Sequence, residues 1–195
     1  MHQDIQSTID FILEVEKLKG VLRKTKPVGQ ARYENSAEHS WQIALFALAM
    51  KPYANADVNM EVVLQMLLLH DIVEIDAGDT LVYDDAGAAN KYEEEHQAAQ
   101  RIFALLPKAM GKRFLTLWEE FEAEETPEAQ YARGMDRVLP ILQNLANDGQ
   151  SWVEHGIRKV QVLEKNGKVA KASSALWNMI VPRLDEAERL GYLKG

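Results

Sequence analysis

The sequence predicts an all-α protein that folds as a single helical bundle. Apolar residues recur at helical spacing along most of the 195-residue chain. No segment alternates apolar and polar residues over a useful length, so no strand is expected. Residues that begin or end helices separate the periodic segments from one another. A helical bundle accounts for all three observations.

Four helices are predicted in the first half of the chain. They run from Ile5 to about Lys19, from Ser36 to about Met50, from Asp57 or Asn59 to between His70 and Glu74, and from Asn90 to Leu106. Ser36 is predicted as the N-cap of the second helix, because its hydroxyl can accept a hydrogen bond from an amide of the first turn. Residues typical of turns predict loops at 24–35 and 77–89.

Four further helices are predicted in the second half. They run from Lys112 to about Glu124, from Thr126 to about Asn147, from Ser151 to Glu164, and from Ser173 to Leu190. Thr126, Pro127 and Glu128 form a typical helix start, in which proline follows the cap and an acid follows the proline. Gly191 is predicted to end the last helix.

The composition excludes several classes of function. A formal net charge of −8 argues against binding to a nucleic-acid polymer or to a membrane surface. No apolar stretch reaches the roughly 20 residues that span a bilayer. The N-terminus lacks the pattern of a signal peptide, so the expected location is the cytoplasm. Because the chain has no Cys, any metal ion must be held by His, Asp or Glu.

The pair His70-Asp71 is the most informative feature of the sequence. It follows an apolar run at 62–69, and Glu74 and Asp79 come shortly after it. A carboxylate beside an apolar surface is costly unless it is paired or bound to a cation. The arrangement therefore indicates a metal site at the end of a buried helix.

Two more candidate ligands lie on other predicted helices. His39 is near the start of the second helix, and Asp136 is inside the long helix that begins at Thr126. Two imidazoles and two carboxylates suit one divalent ion, such as Mn, Co, Ni, Fe, Mg or Zn, with positions left for water. Such an ion can lower the pKa of a water molecule and polarise a phosphoryl oxygen.

With these residues the chain resembles a known family. His39, the pair His70-Asp71 and Asp136 follow the H…HD…D order of the HD superfamily of metal-dependent phosphohydrolases. The segments 32–41 and 70–79 look like the 5′-deoxynucleotidase branch, and the resemblance covers about 18–147. The chain is therefore expected to be a single HD domain at 1–195. Its core is expected at about 18–147, followed by a C-terminal helical extension at 148–195.

The resemblance implies a function for the candidate residues. It implies hydrolysis of a small phosphorylated substrate, most specifically a (deoxy)nucleoside 5′-monophosphate, by attack of metal-activated water. It implies metal ligation by His39, His70, Asp71 and Asp136, and catalytic roles for Glu74 and Asp79. Members of the family commonly pair, so a homodimer is expected.

Three residues are candidates for binding the substrate. Arg32 matches a position that is expected to bind phosphate through its planar guanidinium. Arg23 is a second candidate for the phosphate, and Trp41, two residues after His39, is a candidate wall of the pocket. The loop before Arg32 lacks the Trp that similar proteins often carry near the sugar, so the resemblance does not determine the sugar preference.

Several alternatives stay open at this point. The substrate could instead be a deoxynucleoside triphosphate, a guanosine alarmone or a cyclic nucleotide. The chain could also be a metal-stabilised module that binds a nucleotide or a protein without turnover, although such a module has no need of Glu74 and Asp79 beside the metal. Arg32 could pair with Glu34 or Glu38 rather than with phosphate.

Overall fold

Helices account for the regular structure of the described part of the chain. A computed structural model describes residues 1–83 and 90–195, and these residues form no sheet. The helices are α1 (His2–Val15), α2 (Ser36–Met50), α3 (Met60–Leu69), α4 (Glu74–Ala77), α5 (Lys91–Phe103), α6 (Lys108–Ala123), α7 (Pro127–Ala146), α8 (Gln150–His155), α9 (Lys159–Asn166), α10 (Val169–Ala172) and α11 (Ser174–Arg189). The all-α prediction is confirmed. Within the described ranges, every helix is too short or too polar to cross a membrane.

Helix α3 lies at the centre of the main core. Its sequence is apolar on nearly every side, which is typical of a helix that is surrounded by others. It packs against α2, α6 and α7. Val63, Met66 and Leu67 of α3 are fully buried there, together with Trp118 of α6 and Met135 of α7. The pair His70-Asp71, which directly follows this apolar helix, therefore lies in the interior of the bundle.

Helix α7 is shared between two cores. Its residues Tyr131 and Met135 belong to the main core, whereas Val138 and Ile141 belong to a second one. The second core is completed by the C-terminal helices, including Trp152 of α8. The segment after Asn147 thus packs directly against the helix that carries Asp136.

The N-cap of α2 differs by one residue from the prediction. Asn35, and not Ser36, caps the helix: its side chain accepts from the amide of Glu38, and the Glu38 side chain accepts from the amide of Asn35. This reciprocal pair satisfies two backbone donors at once, so it outcompetes a serine cap. The hydroxyl of Ser36 is left free to bond elsewhere.

Other elements also differ from the prediction. Helix α6 begins at Lys108, directly after Pro107, rather than at Lys112. The helix expected at 151–164 is divided into α8 and α9, because Gly156 adopts a left-handed conformation with φ of 64°. The segment 169–172 forms an additional short helix. Of the predicted loop at 77–89, residues 84–89 lie outside the described residues.

The crossing of α7 and α10 should depend on Gly134. A Cβ atom at this position would lie 2.2 Å from Cβ of Ala172. Gly134→Ala should therefore lower the free energy of unfolding by about 1–3 kcal/mol, as other overpacked cores do. Chemical denaturation would measure this loss. Gly20→Ala is the matched control, since no atom lies within 4 Å of its Cβ position. Equal stability of the two variants would contradict the prediction.

Candidate active site

His39, His70 and Asp136 converge in the interior of the bundle. One side-chain atom of each lies within 4.8 Å of the others, and all three residues are buried. Oδ1 of Asp136 is 3.0 Å from Nε2 of His39 and 3.7 Å from Nε2 of His70. The structure thus brings together residues from the start of α2, the end of α3 and the middle of α7.

The backbone changes its winding at the His70-Asp71 pair. The α-helix ends at Leu69, and residues His70–Val73 form a 3₁₀ turn before α4 begins. The α-helix therefore ends before Glu74. His70 and Glu74 would lie on one helical face only if the α-helix continued that far. In a 3₁₀ turn, residues three apart are aligned. Asp71 and Glu74 accordingly line the same cavity.

The imidazole of His70 is held in one orientation. Its Nδ1 lies 2.9 Å from the carbonyl oxygen of Leu67, to which a protonated Nδ1 donates. Its Nε2 lies 3.0 Å from Oδ1 of Asp71. The indole of Trp118 donates to the backbone carbonyl of His70 at 3.2 Å, which fixes the turn itself. Nε2 therefore faces the carboxylates.

Glu34 adds a buried carboxylate that the sequence did not indicate. Its Oε2 lies 3.3 Å from Nδ1 of His39, on the far side of the ring from Asp136. Gln143 of α7 donates to its Oε1 at 2.5 Å. This distance is that of an ion pair, and Nδ1 of His39 makes no hydrogen bond with the described residues. A carboxylate behind a metal-binding imidazole is common, because it orients the ring and raises its basicity.

The assembled carboxylates favour positive charge at this point. Burial opposes protonation of His70, but the negative charges of Asp71 and Asp136 outweigh it and raise the pKa of His70 to about 10. Burial alone would raise the pKa of Asp136, yet its contacts with His39 and His70 hold that pKa well below its usual range. A proton or a metal ion at Nε2 of His70 would supply this charge.

The residues present fit a divalent metal ion. Nε2 of His70 is buried and has no hydrogen-bond partner among the described residues. Two imidazoles with neighbouring carboxylates form a nitrogen and oxygen donor set that suits several divalent ions. His39, His70 and Asp136 could therefore hold the ion, and Asp71 stands next to them.

Glu74 and Asp79 lie beside this cluster, on the wall of one cavity. The hydroxyl of Ser36, the residue displaced from the N-cap, donates to Oε2 of Glu74 at 2.6 Å. Burial, followed by the negative charge of Asp71, raises the pKa of Glu74 to about 8. Burial also raises the pKa of Asp79. Glu74 is thus able to exchange a proton near neutral pH.

Arg23 lines the same cavity and faces several acids. Its Nη1 lies 2.7 Å from Oδ2 of Asp71 and 3.7 Å from Oδ1 of Asp79. Its Nε lies 3.6 Å from Oε2 of Glu34. The backbone pairing of Arg23 with Glu34 across the loop at 24–35 places both side chains here.

Arg32 and Trp41 are not brought to the cavity. The guanidinium of Arg32 binds both carboxylate oxygens of Glu38 on the protein surface. This is one of the two pairings that the sequence left open. Trp41 is 63% exposed, and neither residue is among those that line the cavity within the described ranges.

Part of the cavity wall is formed by residues that the sequence did not indicate as a site. Leu81, Tyr83 and Pro140 line it together with Trp152 of α8. Trp152 belongs to the predicted C-terminal extension, so this segment closes one side of the cavity. No local motif marks these residues, because they meet only after α8 packs on α7.

A match to a known family identifies the class of protein to which the chain belongs. A model of the HD domain family matches residues 15–177. The chain belongs to the HD domain family. The predictions of an HD-domain fold, of a metal-dependent phosphohydrolase and of a divalent metal cofactor of undetermined identity are confirmed.

Solved structures agree with this assignment. The chain is 40% identical to a predicted metal-dependent phosphohydrolase from Magnetospirillum magnetotacticum MS-1, with a TM-score of 0.93 over 99% of this chain and 100% of that one. An HD-domain phosphohydrolase from Listeria innocua is 16% identical, with a TM-score of 0.63 over 95% of each chain. The second likeness concerns the fold alone.

Curated relatives share a more specific name. The 5′-deoxynucleotidase HDDC2 of Danio rerio is 29% identical over 140 residues, which are 69% of this chain and 68% of that protein. The human 5′-deoxynucleotidase HDDC2 is 28% identical over 137 residues, which are 68% of this chain and 66% of that protein.

Removing the charge behind His39 should weaken the metal site. Glu34→Gln keeps the size of the side chain but loses the carboxylate that faces Nδ1 of His39. We expect the dissociation constant for Mn²⁺ to rise about tenfold, since loss of such outer partners has effects of this order. Calorimetric titration of metal-stripped protein would measure it. Glu61→Gln, at a position that is 78% exposed, is the control. An unchanged dissociation constant in Glu34→Gln would argue against the role of Glu34.

Proposed function

We propose that the protein hydrolyses (deoxy)nucleoside 5′-monophosphates to nucleoside and phosphate. The observation that carries the proposal is the buried convergence of His39, His70 and Asp136 beside a cavity that also contains Glu74 and Asp79. Hydrolysis of a phosphate ester can use a metal ion to activate water and nearby acids to transfer protons, and both kinds of group lie here.

The proposed metal ligands are His39, His70, Asp71 and Asp136. Asp71 is included because its Oδ1 lies 3.0 Å from Nε2 of His70, so a small movement would bring it onto the same ion. The ion would act as a Lewis acid that activates water and polarises the phosphoryl group. Arg23 would hold Asp71 in place and, as the sequence suggested, would face the phosphate.

Glu74 and Asp79 are the proposed catalytic acids. The Ser36 hydroxyl holds the carboxylate of Glu74 at the cavity wall. In that position Glu74 can accept a proton from the attacking water or give one to the leaving 5′-oxygen. Its raised pKa makes either transfer feasible near neutral pH. Asp79 lies 3.7 Å from Arg23 and would orient the water or the substrate.

The cavity supports a nucleotide as substrate. Its lining combines carboxylates and arginines with the aromatic and apolar side chains of Tyr83, Pro140 and Trp152. A phosphate suits the charged groups, and a nucleoside suits the aromatic and apolar side chains. The relatives named 5′-deoxynucleotidase favour a deoxynucleotide within this class.

A cytoplasmic homodimer remains part of the proposal. Trp41, Leu45 and Leu48 are about half exposed or more and follow one another at helical spacing on α2. Such an apolar stripe supports pairing with a second copy of the chain. Light scattering of the purified protein would give the mass in solution. We also retain the description as one HD domain with its core at about 18–147 and an extension at 148–195.

Hydrolysis should require an added metal ion. Metal-stripped protein should release no phosphate from dAMP, AMP or dTMP, and one or more of Mn, Co, Ni, Fe, Mg and Zn should restore release. Asp71→Ala should abolish the restored activity. A colorimetric phosphate assay measures both effects. Release from dATP alone would point to a triphosphohydrolase, and no release despite a bound ion would point to a binding module.

Replacing Glu74 should separate catalysis from metal binding. Glu74→Gln should lower kcat about 10²–10⁴-fold, the range for loss of a general acid or base, while the metal content stays the same. Asp76→Asn is a matched control on the same short helix, because Asp76 pairs with Arg101 outside the cavity. Steady-state kinetics and elemental analysis would be compared. Full activity of Glu74→Gln, or loss of its metal, would contradict the assignment.

A further inference from the structure

The half-buried side chain of Arg137 lies in the candidate active site, where it makes no ion pair with the described residues. It lines the cavity that contains Asp71, Glu74 and Asp136. Its Nε atom is buried and makes no hydrogen bond within the described ranges. No carboxylate of residues 1–83 or 90–195 forms an ion pair with it. The positive charge of Arg137 is therefore not matched by a direct contact there.

The two other arginines of the cavity are already paired. Arg133 lies 2.6 Å from Oε1 of Glu122 and 3.3 Å from Oε1 of Glu124. Arg23 lies 2.7 Å from Oδ2 of Asp71 and has further acids nearby. Both side chains thus have protein carboxylates to neutralise them, which distinguishes them from Arg137 among the described arginines of this cavity.

The position of Arg137 on α7 directs it at the site. Arg133, Asp136, Arg137 and Pro140 follow at helical spacing, and all of them line the cavity. Arg137 also lines a second, adjoining cavity together with His70 and Lys91. It therefore lies where the two cavities meet, next to the candidate metal ligands.

A half-buried cation without a neighbouring anion is unfavourable, and a bound anion can compensate it. The guanidinium has a planar fork of donors that matches two oxygens of a phosphate. We propose that Arg137 binds the phosphoryl group of the substrate directly, as a substrate-binding residue in addition to those predicted from the sequence. This inference rests on the proposed hydrolysis of phosphate monoesters, and it names the group that anchors them.

Phosphate binding by variants tests the inference. Metal-loaded wild type, Arg137→Met, Arg137→Lys and Arg113→Met would be titrated with inorganic phosphate in a calorimeter, and KM for dAMP would be measured. Arg137→Met should raise both the dissociation constant and KM about 10- to 100-fold, the effect of losing charged hydrogen bonds. Arg137→Lys should lie between, since it keeps the charge and loses the fork. Arg113, 61% exposed, is the matched control and should behave as wild type.

Thermal unfolding distinguishes ligand binding from a structural role. Without phosphate, Arg137→Met should unfold at the same temperature as wild type or higher, because it removes a half-buried cation that makes no ion pair with residues 1–83 or 90–195. A lower unfolding temperature together with unchanged phosphate affinity would overturn the inference. If Arg137→Met fails to fold, Arg137→Lys decides: an unchanged dissociation constant overturns the inference, and a raised one supports it.

The proposed function and this inference can fail separately. Wild type that binds phosphate through Arg137 but hydrolyses no phosphate ester contradicts the function and supports the anion site. Wild type that hydrolyses dAMP, with Arg137→Met showing the same KM and phosphate affinity, supports the function and overturns the anion site.

Discussion

The carboxylate of Asp136 contacts side chains from the helices that build the candidate active site. Oδ1 of Asp136 faces the imidazoles of His39 and His70, which come from helices distant in sequence. A buried carboxylate is tolerated only when opposite charge or hydrogen bonds compensate it. The helices α2, α3 and α7 must therefore pack so that these groups meet. The acids and arginines around the cavity are arranged about this meeting point.

The features predicted from the sequence are those with local signals. Helical periodicity predicts the all-α fold, and the order of His and Asp residues predicts the cluster that the structure brings together. The sequence does not determine a helix boundary where two neighbouring residues are equally good caps. Asn35 and Ser36 are both good caps, and only the reciprocal bond with Glu38 selects Asn35. The 3₁₀ turn after Leu69 likewise has no sequence signature, since it depends on how the turn packs.

The remaining site residues depend on tertiary packing. Glu34 reaches His39 because a loop folds back on itself, and Trp152 reaches the cavity because α8 packs on α7. No sequence motif distinguishes Arg137 from a solvent-exposed charged residue of a helix. It differs from Arg23 and Arg133 in making no ion pair with the described residues. Conversely, Arg32 and Trp41 lie close to His39 in sequence, which predicted a role in substrate binding. The structure places both side chains on the surface.

The division of α7 between two cores ties the site to the C-terminal helices. Val138 and Ile141 are buried against these helices, one to five residues along α7 from Asp136 and Arg137. A fragment that ended at Asn147 would keep every metal ligand proposed from the sequence. It would also leave an apolar face of α7 in water and remove Trp152 from the cavity. The helix that carries Asp136 and the C-terminal helices thus share one packed interface, so we expect local opening of the C-terminal helices to loosen the site as well.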